Sequence, residues 1–167
     1  MSEETRKSNR KWDRDFKAMF RAVKPAFQKV FETEQRPSLK AVIEHLTSGG
    51  GAYLSIGAGL MERATKVLPP ESKVKDFIDR CEPFKALLIA LAFSQYDMCI
   101  RDPRKPSLGK AGRHDMFSAV YLPYCRVFVT NDPGQWKALT VVANLMGCEA
   151  QILMYADFKA GLFGLSD

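Results

Sequence analysis

The sequence feature that most constrains the fold is a strand, a helix and a second strand in direct succession. Residues 126–130 hold Val, Phe, Val and Thr after an arginine, which is typical of a strand. Residues 134–146 have apolar side chains at helical spacing, and Gly147 supplies a C-cap. Residues 150–155 are almost all apolar, which predicts an interior parallel strand. Because parallel strands need a crossover helix, this order predicts an α/β fold with a short parallel sheet covered by helices.

Two aspartates flank the first strand of this unit together with the helix predicted before it. Asp115 opens a predicted helix at 116–124, and Asp132 follows the first strand directly. In open α/β sheets, ligands bind in the crevice outside the carboxyl ends of the strands. Both carboxylates can reach that edge, where a divalent cation would relieve their repulsion. Each aspartate also suits a purely structural role as a helix N-cap, and Pro133 suits the first helical position after Asp132.

This part of the chain resembles the second half of a PIN-like domain, the fold of many bacterial toxin endoribonucleases. The resemblance rests on Asp115 opening a helix, on Ala119 within that helix, and on the strand end Val129-Thr130-Asn131-Asp132. The order of the later helix and strand agrees as well. The similar segment covers about residues 87–158, less than half of the chain.

The resemblance implies a Mg²⁺- or Mn²⁺-dependent nuclease, most simply an endoribonuclease, in which a metal-activated water attacks a phosphodiester. Asp115 and Asp132 would then be the catalytic metal ligands, and Thr130 and Asn131 would orient them. RNA is the implied substrate, an antitoxin-type protein is an implied partner, and a homo-oligomer is a further expectation.

The same family carries a glutamate on the helix after its second strand. Residues 52–55 are predicted as that strand, and Glu62 lies on the helix expected to follow. Glu62 is therefore the candidate for a third metal-binding, catalytic carboxylate; an ordinary solvated helix charge is the alternative. The family begins with a strand that ends in an essential Asp, and no apolar strand pattern precedes Trp12. That first strand is therefore expected to be missing or divergent.

The length of 167 residues fits a single domain, here a PIN-like one. Residues 1–48 form its helical N-terminal part, in which an aromatic stripe between Trp12 and Phe31 is expected to be buried. A glycine-rich joint at 49–51 leads into the α/β part, residues 52–158. The helix predicted at 84–100 is apolar nearly all round and is expected at the centre of the core.

The net charge of +6 is concentrated in two segments. Residues 1–40 contain 11 Lys and Arg against 6 Asp and Glu, and residues 101–113 contain 5 against 1. Positive charge beside a carboxylate site is what an enzyme that cleaves a polyanion needs, although a solvated basic surface explains it too. The residues predicted to contact RNA phosphates are Arg101, Arg104, Lys105, Lys110 and Arg113.

Two alternatives to the nuclease stay open. A PIN-like domain without its opening strand and Asp can serve as an inactive binding or oligomerisation module. A strand at 52–55 followed by Gly57-Ala58-Gly59 is also typical of a Rossmann-like unit that binds a nucleotide or S-adenosylmethionine. Glu62, at the position of a third glycine, counts against that second alternative because its charge would face a pyrophosphate.

Cysteine spacing and hydropathy count against a zinc site and against a membrane span. The four cysteines are widely spaced without a C-x-x-C pair, which disfavours a zinc site and favours reduced thiols next to apolar side chains. The longest apolar run, residues 86–93, is too short for a membrane span. Without a secretory signal pattern at the N-terminus, a cytoplasmic location is expected.

Overall fold

The computed structural model describes residues 37–47, 52–101 and 113–163, together with isolated helical positions between 3 and 29. Within the three continuous ranges, helices dominate and two short strands form the sheet. In chain order the elements are α1 (Leu39–Thr47), α2 (Ala52–Thr65), α3 (Glu71–Arg80), α4 (Glu82–Gln95), a π-helical turn (Tyr96–Ile100), α5 (Arg113–Phe117), a 3₁₀ helix (Ser118–Tyr124), β1 (Val127–Thr130), α6 (Pro133–Met146), β2 (Gln151–Met154) and α7 (Tyr155–Phe163).

The two strands form a parallel pair joined by α6. Val127 is opposite Gln151, and the register continues to Thr130 opposite Met154. The indole Nε1 of Trp136 donates a hydrogen bond of 2.9 Å to the Ile152 carbonyl, which fixes α6 against β2. The predicted short parallel sheet covered by helices is therefore confirmed as a general α/β arrangement. The prediction of an interior second strand is wrong, because β2 pairs with β1 alone within the described ranges.

Helix α4 occupies the centre of the core, as its apolar sequence predicts. It packs against α1, α3, α6 and the 3₁₀ helix, and Leu88, Ala90 and Ala92 on it are fully buried. A helix that is apolar around most of its circumference is stable only when neighbours cover it on several sides. The predicted helix at 84–100 is confirmed, with its last turn widened into the π-helical turn.

The strand predicted at 52–55 is wrong, because these residues form the first turn of α2. Tyr53 is 1% exposed, and its hydroxyl donates a hydrogen bond of 2.8 Å to Gln95 Oε1 at the end of α4. Burial raises the pKa of the Tyr53 hydroxyl far above its usual range. The glycines at 57 and 59 consequently lie inside a helix, and the strand and turn of a nucleotide-binding unit are not formed here.

The described N-terminal positions are helical and exposed, in agreement with a helix in this part of the chain. Five of them are basic: Lys11, Arg14, Arg21, Lys24 and Lys29. The predicted aromatic stripe and the glycine-rich joint lie outside the described residues. Among the helices that the structure describes, none has the length and apolar character needed to cross a membrane.

Candidate functional site

Asp132 caps α6 at the carboxyl end of β1. Its Oδ1 accepts hydrogen bonds from the backbone N–H groups of Gly134 (2.6 Å) and Gln135 (3.0 Å). Pro133 takes the first helical position, where a missing N–H costs no hydrogen bond. The predicted capping role is confirmed. Both bonds use the same oxygen, so Oδ2 of this exposed carboxylate has no hydrogen-bond partner among the described residues and can accept a ligand.

Hydrogen bonds join the end of β1 to the segment that follows Asp115. The backbone N–H of Asp132 donates to Thr130 Oγ1 at 3.1 Å, and that buried hydroxyl donates to Gln135 Oε1 at 2.5 Å. Gln135 Nε2 in turn donates to Ser118 Oγ at 3.5 Å. Gln135 thereby bridges β1, the start of α6 and the 3₁₀ helix.

Sequence reasoning named Thr130 for this site but missed Gln135 and Ser118. A signal for Gln135 exists, because it stands three residues after an N-cap, the position of Glu or Gln in a capping box. In a capping box its side chain would return to the N–H of Asp132. Here Thr130 accepts that N–H, and Gln135 turns to Thr130 and Ser118 instead. Asn131 is exposed and lies between β1 and α6.

Asp115 lies in the first turn of α5 and is half-buried. Helix α5 packs against α6 and against the 3₁₀ helix that continues it. The two elements that carry Asp115 and Asp132 are therefore neighbours. The start of α6 also contacts the 3₁₀ helix, because Gln135 donates a hydrogen bond to Ser118, three residues beyond Asp115.

Glu62 does not join them. It is exposed on α2, which packs against α1 and α3. Within the described residues, which include all three carboxylates, no group of three or more His, Cys, Asp or Glu side chains is placed to hold a metal ion. The structure therefore does not bring Asp115, Asp132 and Glu62 together, and the strand that motivated the choice of Glu62 is a helix.

Of the basic residues predicted to contact phosphate, Arg101 has a different environment from the one expected. Its Nε lies 2.7 Å from Oδ1 of Asp97, and the two side chains are 16% and 12% exposed. Arg101 is thus largely buried in an ion pair at the end of the π-helical turn. Arg104, Lys105 and Lys110 lie outside the described residues, as does the side chain of Arg113 on α5.

The chain was compared with models of protein families, with curated proteins and with solved structures. No significant match was found. The PIN-like identity of the chain therefore stays a prediction from the sequence.

A cleft of about 350 Å³ lies at the opposite, amino end of the strands. Cys125 and Cys148 both line it and are free thiols, half-buried rather than fully enclosed. Burial raises the pKa of Cys125, its own backbone N–H opposes that rise, and nearby Cys148 adds to it. Tyr124, Arg126, Glu82 and Glu149 line the same cleft.

Proposed function

We propose that this chain is a PIN-like nuclease that acts on RNA with Mg²⁺ or Mn²⁺ held by Asp115 and Asp132. The observation that carries the proposal is the hydrogen-bonded link from Thr130 through Gln135 to Ser118. This link fastens the start of the 3₁₀ helix to the carboxyl end of β1, so the elements bearing the two aspartates meet at one edge. That edge is where open α/β sheets bind their ligands.

Two carboxylates are a sufficient protein contribution for such an ion. Mg²⁺ keeps several water ligands and is commonly held by one or two carboxylates together with substrate phosphates. Asp132 fits this need because its N-cap bonds occupy Oδ1 and leave Oδ2. When bound, the ion supplies an activated water and neutralises charge on the scissile phosphate. Glu62 has no part in this form of the site.

The deciding experiment is RNA cleavage in the presence of Mn²⁺. We expect the wild-type protein to cleave, EDTA to stop the reaction, and Asp115→Asn and Asp132→Asn to abolish it. Asn is as good an N-cap as Asp, so Asp132→Asn removes the charge without removing the cap. Asp157→Asn, at an exposed position in the first turn of α7, is the matched control and should keep full activity.

Three outcomes would contradict the proposal. Absence of cleavage by the wild-type protein with either metal removes the nuclease. Cleavage that survives in both Asp115→Asn and Asp132→Asn leaves a nuclease but removes this site. Loss of activity in Glu62→Gln with activity retained in Asp115→Asn would move the site to α2.

A second candidate is a PIN-like module that binds RNA or a protein partner, such as an antitoxin-type protein or a second copy, without catalysis. The specific observation in its favour is that Asp132 already has a structural role as the cap of α6, while Glu62 is exposed on α2 and forms no metal-binding group with the two aspartates. This candidate predicts RNA binding in EDTA at wild-type affinity and no cleavage with either metal. Sedimentation of the free protein would then establish whether it self-associates.

A further inference from the structure

We infer that Tyr121 and Tyr124 form a base-binding track along the 3₁₀ helix, with Arg126 contacting the phosphate backbone. The inference rests on the proposed function, because it describes how an RNA strand would lie across the protein. It adds a binding surface outside the metal site. The ligand class is a strand with unpaired bases, since a duplex hides the faces on which aromatic rings stack.

The first observation is the exposure of the two rings. Tyr121 is 62% exposed and Tyr124 is 74% exposed, although both belong to a short helix whose Ala119 and Leu122 are fully buried. The 3₁₀ helix is thus anchored in the core by one side and presents two aromatic rings on the other. Large aromatic side chains held open to solvent on an ordered element indicate a contact surface.

The second observation is the alignment of these rings. In a 3₁₀ helix, side chains three residues apart eclipse each other, so Ser118, Tyr121 and Tyr124 form one column. At about 2 Å of rise per residue, the backbone positions of the two tyrosines are about 6 Å apart along the axis. One base between two rings needs about 7 Å at the ~3.4 Å spacing of stacked bases. The axial spacing of the two positions is thus close to the spacing that one intervening base requires.

The third observation is where the column leads. At one end, Ser118 accepts the hydrogen bond from Gln135, next to the cap formed by Asp132. At the other end, Tyr124 lines the 350 Å³ cleft at the amino end of the strands. A strand bound along this column would therefore pass from that cleft toward the two aspartates.

The charges at the cleft fit a nucleotide better than an apolar protein surface. Arg126 is exposed and suits a phosphate, whereas Glu82 and Glu149 offer carboxylate oxygens that accept hydrogen bonds from base amino groups. The two carboxylates would repel a phosphate that faced them directly, so the base lies beside Glu82 and Glu149 and the phosphate beside Arg126. The overall charge of +6 supplies the general attraction for RNA.

The test is binding in EDTA, which separates recognition from cleavage. The probes are a single-stranded RNA of about 12 nucleotides, within the site sizes of single-strand binders, a duplex of equal length, and an abasic ribose-phosphate strand of equal length. We expect the single strand to bind most tightly. Tyr121→Ala and Tyr124→Ala should each weaken its binding by about 5- to 150-fold, because stacking contributes about 1–3 kcal/mol per base.

Matched variants separate stacking from other effects. Tyr121→Phe and Tyr124→Phe keep the ring and should bind as the wild type does. Leu68→Ala, at a position 67% exposed between α2 and α3, is the surface control and should change nothing. Arg126→Ala should weaken the abasic strand as well and lower the salt slope by about one unit, as expected for a single phosphate contact.

The result that overturns the inference is equal affinity of the alanine variants and the wild type for the base-bearing strand. A second is self-association that Tyr121→Ala abolishes while RNA affinity stays unchanged, which would assign this surface to a protein contact. The proposed function fails separately. Tyrosine-dependent binding without cleavage refutes the nuclease and leaves the track, whereas cleavage that is insensitive to the tyrosines refutes the track alone.

Discussion

A Cβ atom added to Gly57 would lie 2.8 Å from Cγ1 of Val74. Helices α2 and α3 therefore approach each other at a point where glycine leaves room and any larger residue meets a buried, β-branched side chain. Val74 is 2% exposed and has little freedom to turn away. Gly57 belongs to the pattern that suggested a nucleotide-binding turn. In the structure, this glycine is explained by the close packing of α2 against α3.

We predict that Gly57→Ala destabilises the protein by about 1–2 kcal/mol. Overpacking costs about 1–3 kcal/mol, and replacing a helical glycine by alanine returns about 0.5–1 kcal/mol. Gly59→Ala is the matched control on the same helix, because a Cβ there meets nothing within 4 Å. It should stabilise the protein by about 0.5–1 kcal/mol. Urea unfolding of both variants measures the difference, and shifts of the same sign would contradict the close approach.

The N-cap formed by Asp132 predicts two different outcomes at one position. Asp132→Ala removes the acceptor of two backbone N–H groups and should lower the free energy of unfolding by about 1 kcal/mol. Asp132→Asn keeps an acceptor and should be nearly as stable as the wild type. Thermal unfolding followed by circular dichroism measures both. If the two variants lose equal stability, the negative charge and not the capping bonds stabilises α6.

Two ion pairs of the same spacing differ in burial, and their variants should differ accordingly. Asp97 and Arg101 are largely buried, whereas Asp76 and Arg80, with Nε and Oδ1 2.8 Å apart, are 50% and 80% exposed. Asp97→Ala leaves a mostly buried guanidinium without this partner and should cost about 3 kcal/mol. Asp76→Ala should cost less than about 1 kcal/mol and become neutral at high salt. Equal costs in urea unfolding would show that burial does not govern the Asp97–Arg101 pair.

The Cys125 thiol should react slowly at neutral pH. Burial raises its pKa above the usual value of about 8.5, so the nucleophilic thiolate is scarcer than in a free thiol at the same pH. Its alkylation by iodoacetamide, followed by peptide mass spectrometry, should rise with pH later than that of a free cysteine derivative. Because Cys148 contributes to the raised pKa, Cys148→Ser should move this profile to lower pH. An unchanged profile would show that Cys148 does not affect the pKa of Cys125.

Elements with signals inside their own residues could be predicted from the sequence. Helix α6 begins at the Asp132–Pro133 cap and ends at Gly147, whose φ of 65° is the left-handed conformation that glycine adopts readily. The strands before and after it are short apolar runs, and the helix between them is the crossover connection that their observed parallel pairing needs.

Elements decided by distant contacts could not be predicted in this way. The four residues at 52–55 are too few for a helical or alternating period to show, and their conformation is held by Tyr53 bonding to Gln95, 42 residues away. The ion pair of Arg101 could be predicted in part, because Asp97 lies four residues before it, near the end of the predicted helix. What the sequence did not contain was the burial of that pair.

The candidate site shows the same division. The position of Asp132 as an N-cap follows from local signals and is confirmed, whereas Asp115 lies inside the first turn of a helix that begins two residues before it, at Arg113. The hydrogen bond from Gln135 to Ser118 joins residues 17 positions apart, so it depends on how the chain between them folds back. Glu62 was chosen because a strand was predicted at 52–55; these residues are helical, and Glu62 does not join the two aspartates.

The parallel ladder has only four residues in each strand, too few to stand in water without support. Its persistence therefore depends on α6, which is tied to β2 by Trp136 and to β1 through Gln135. Loosening of α6 by heat or denaturant would open the ladder and release Asp132 in the same event. A ligand that binds at this edge would in turn hold α6 in place. Its binding would therefore raise the free energy of unfolding of the whole β1–α6–β2 unit.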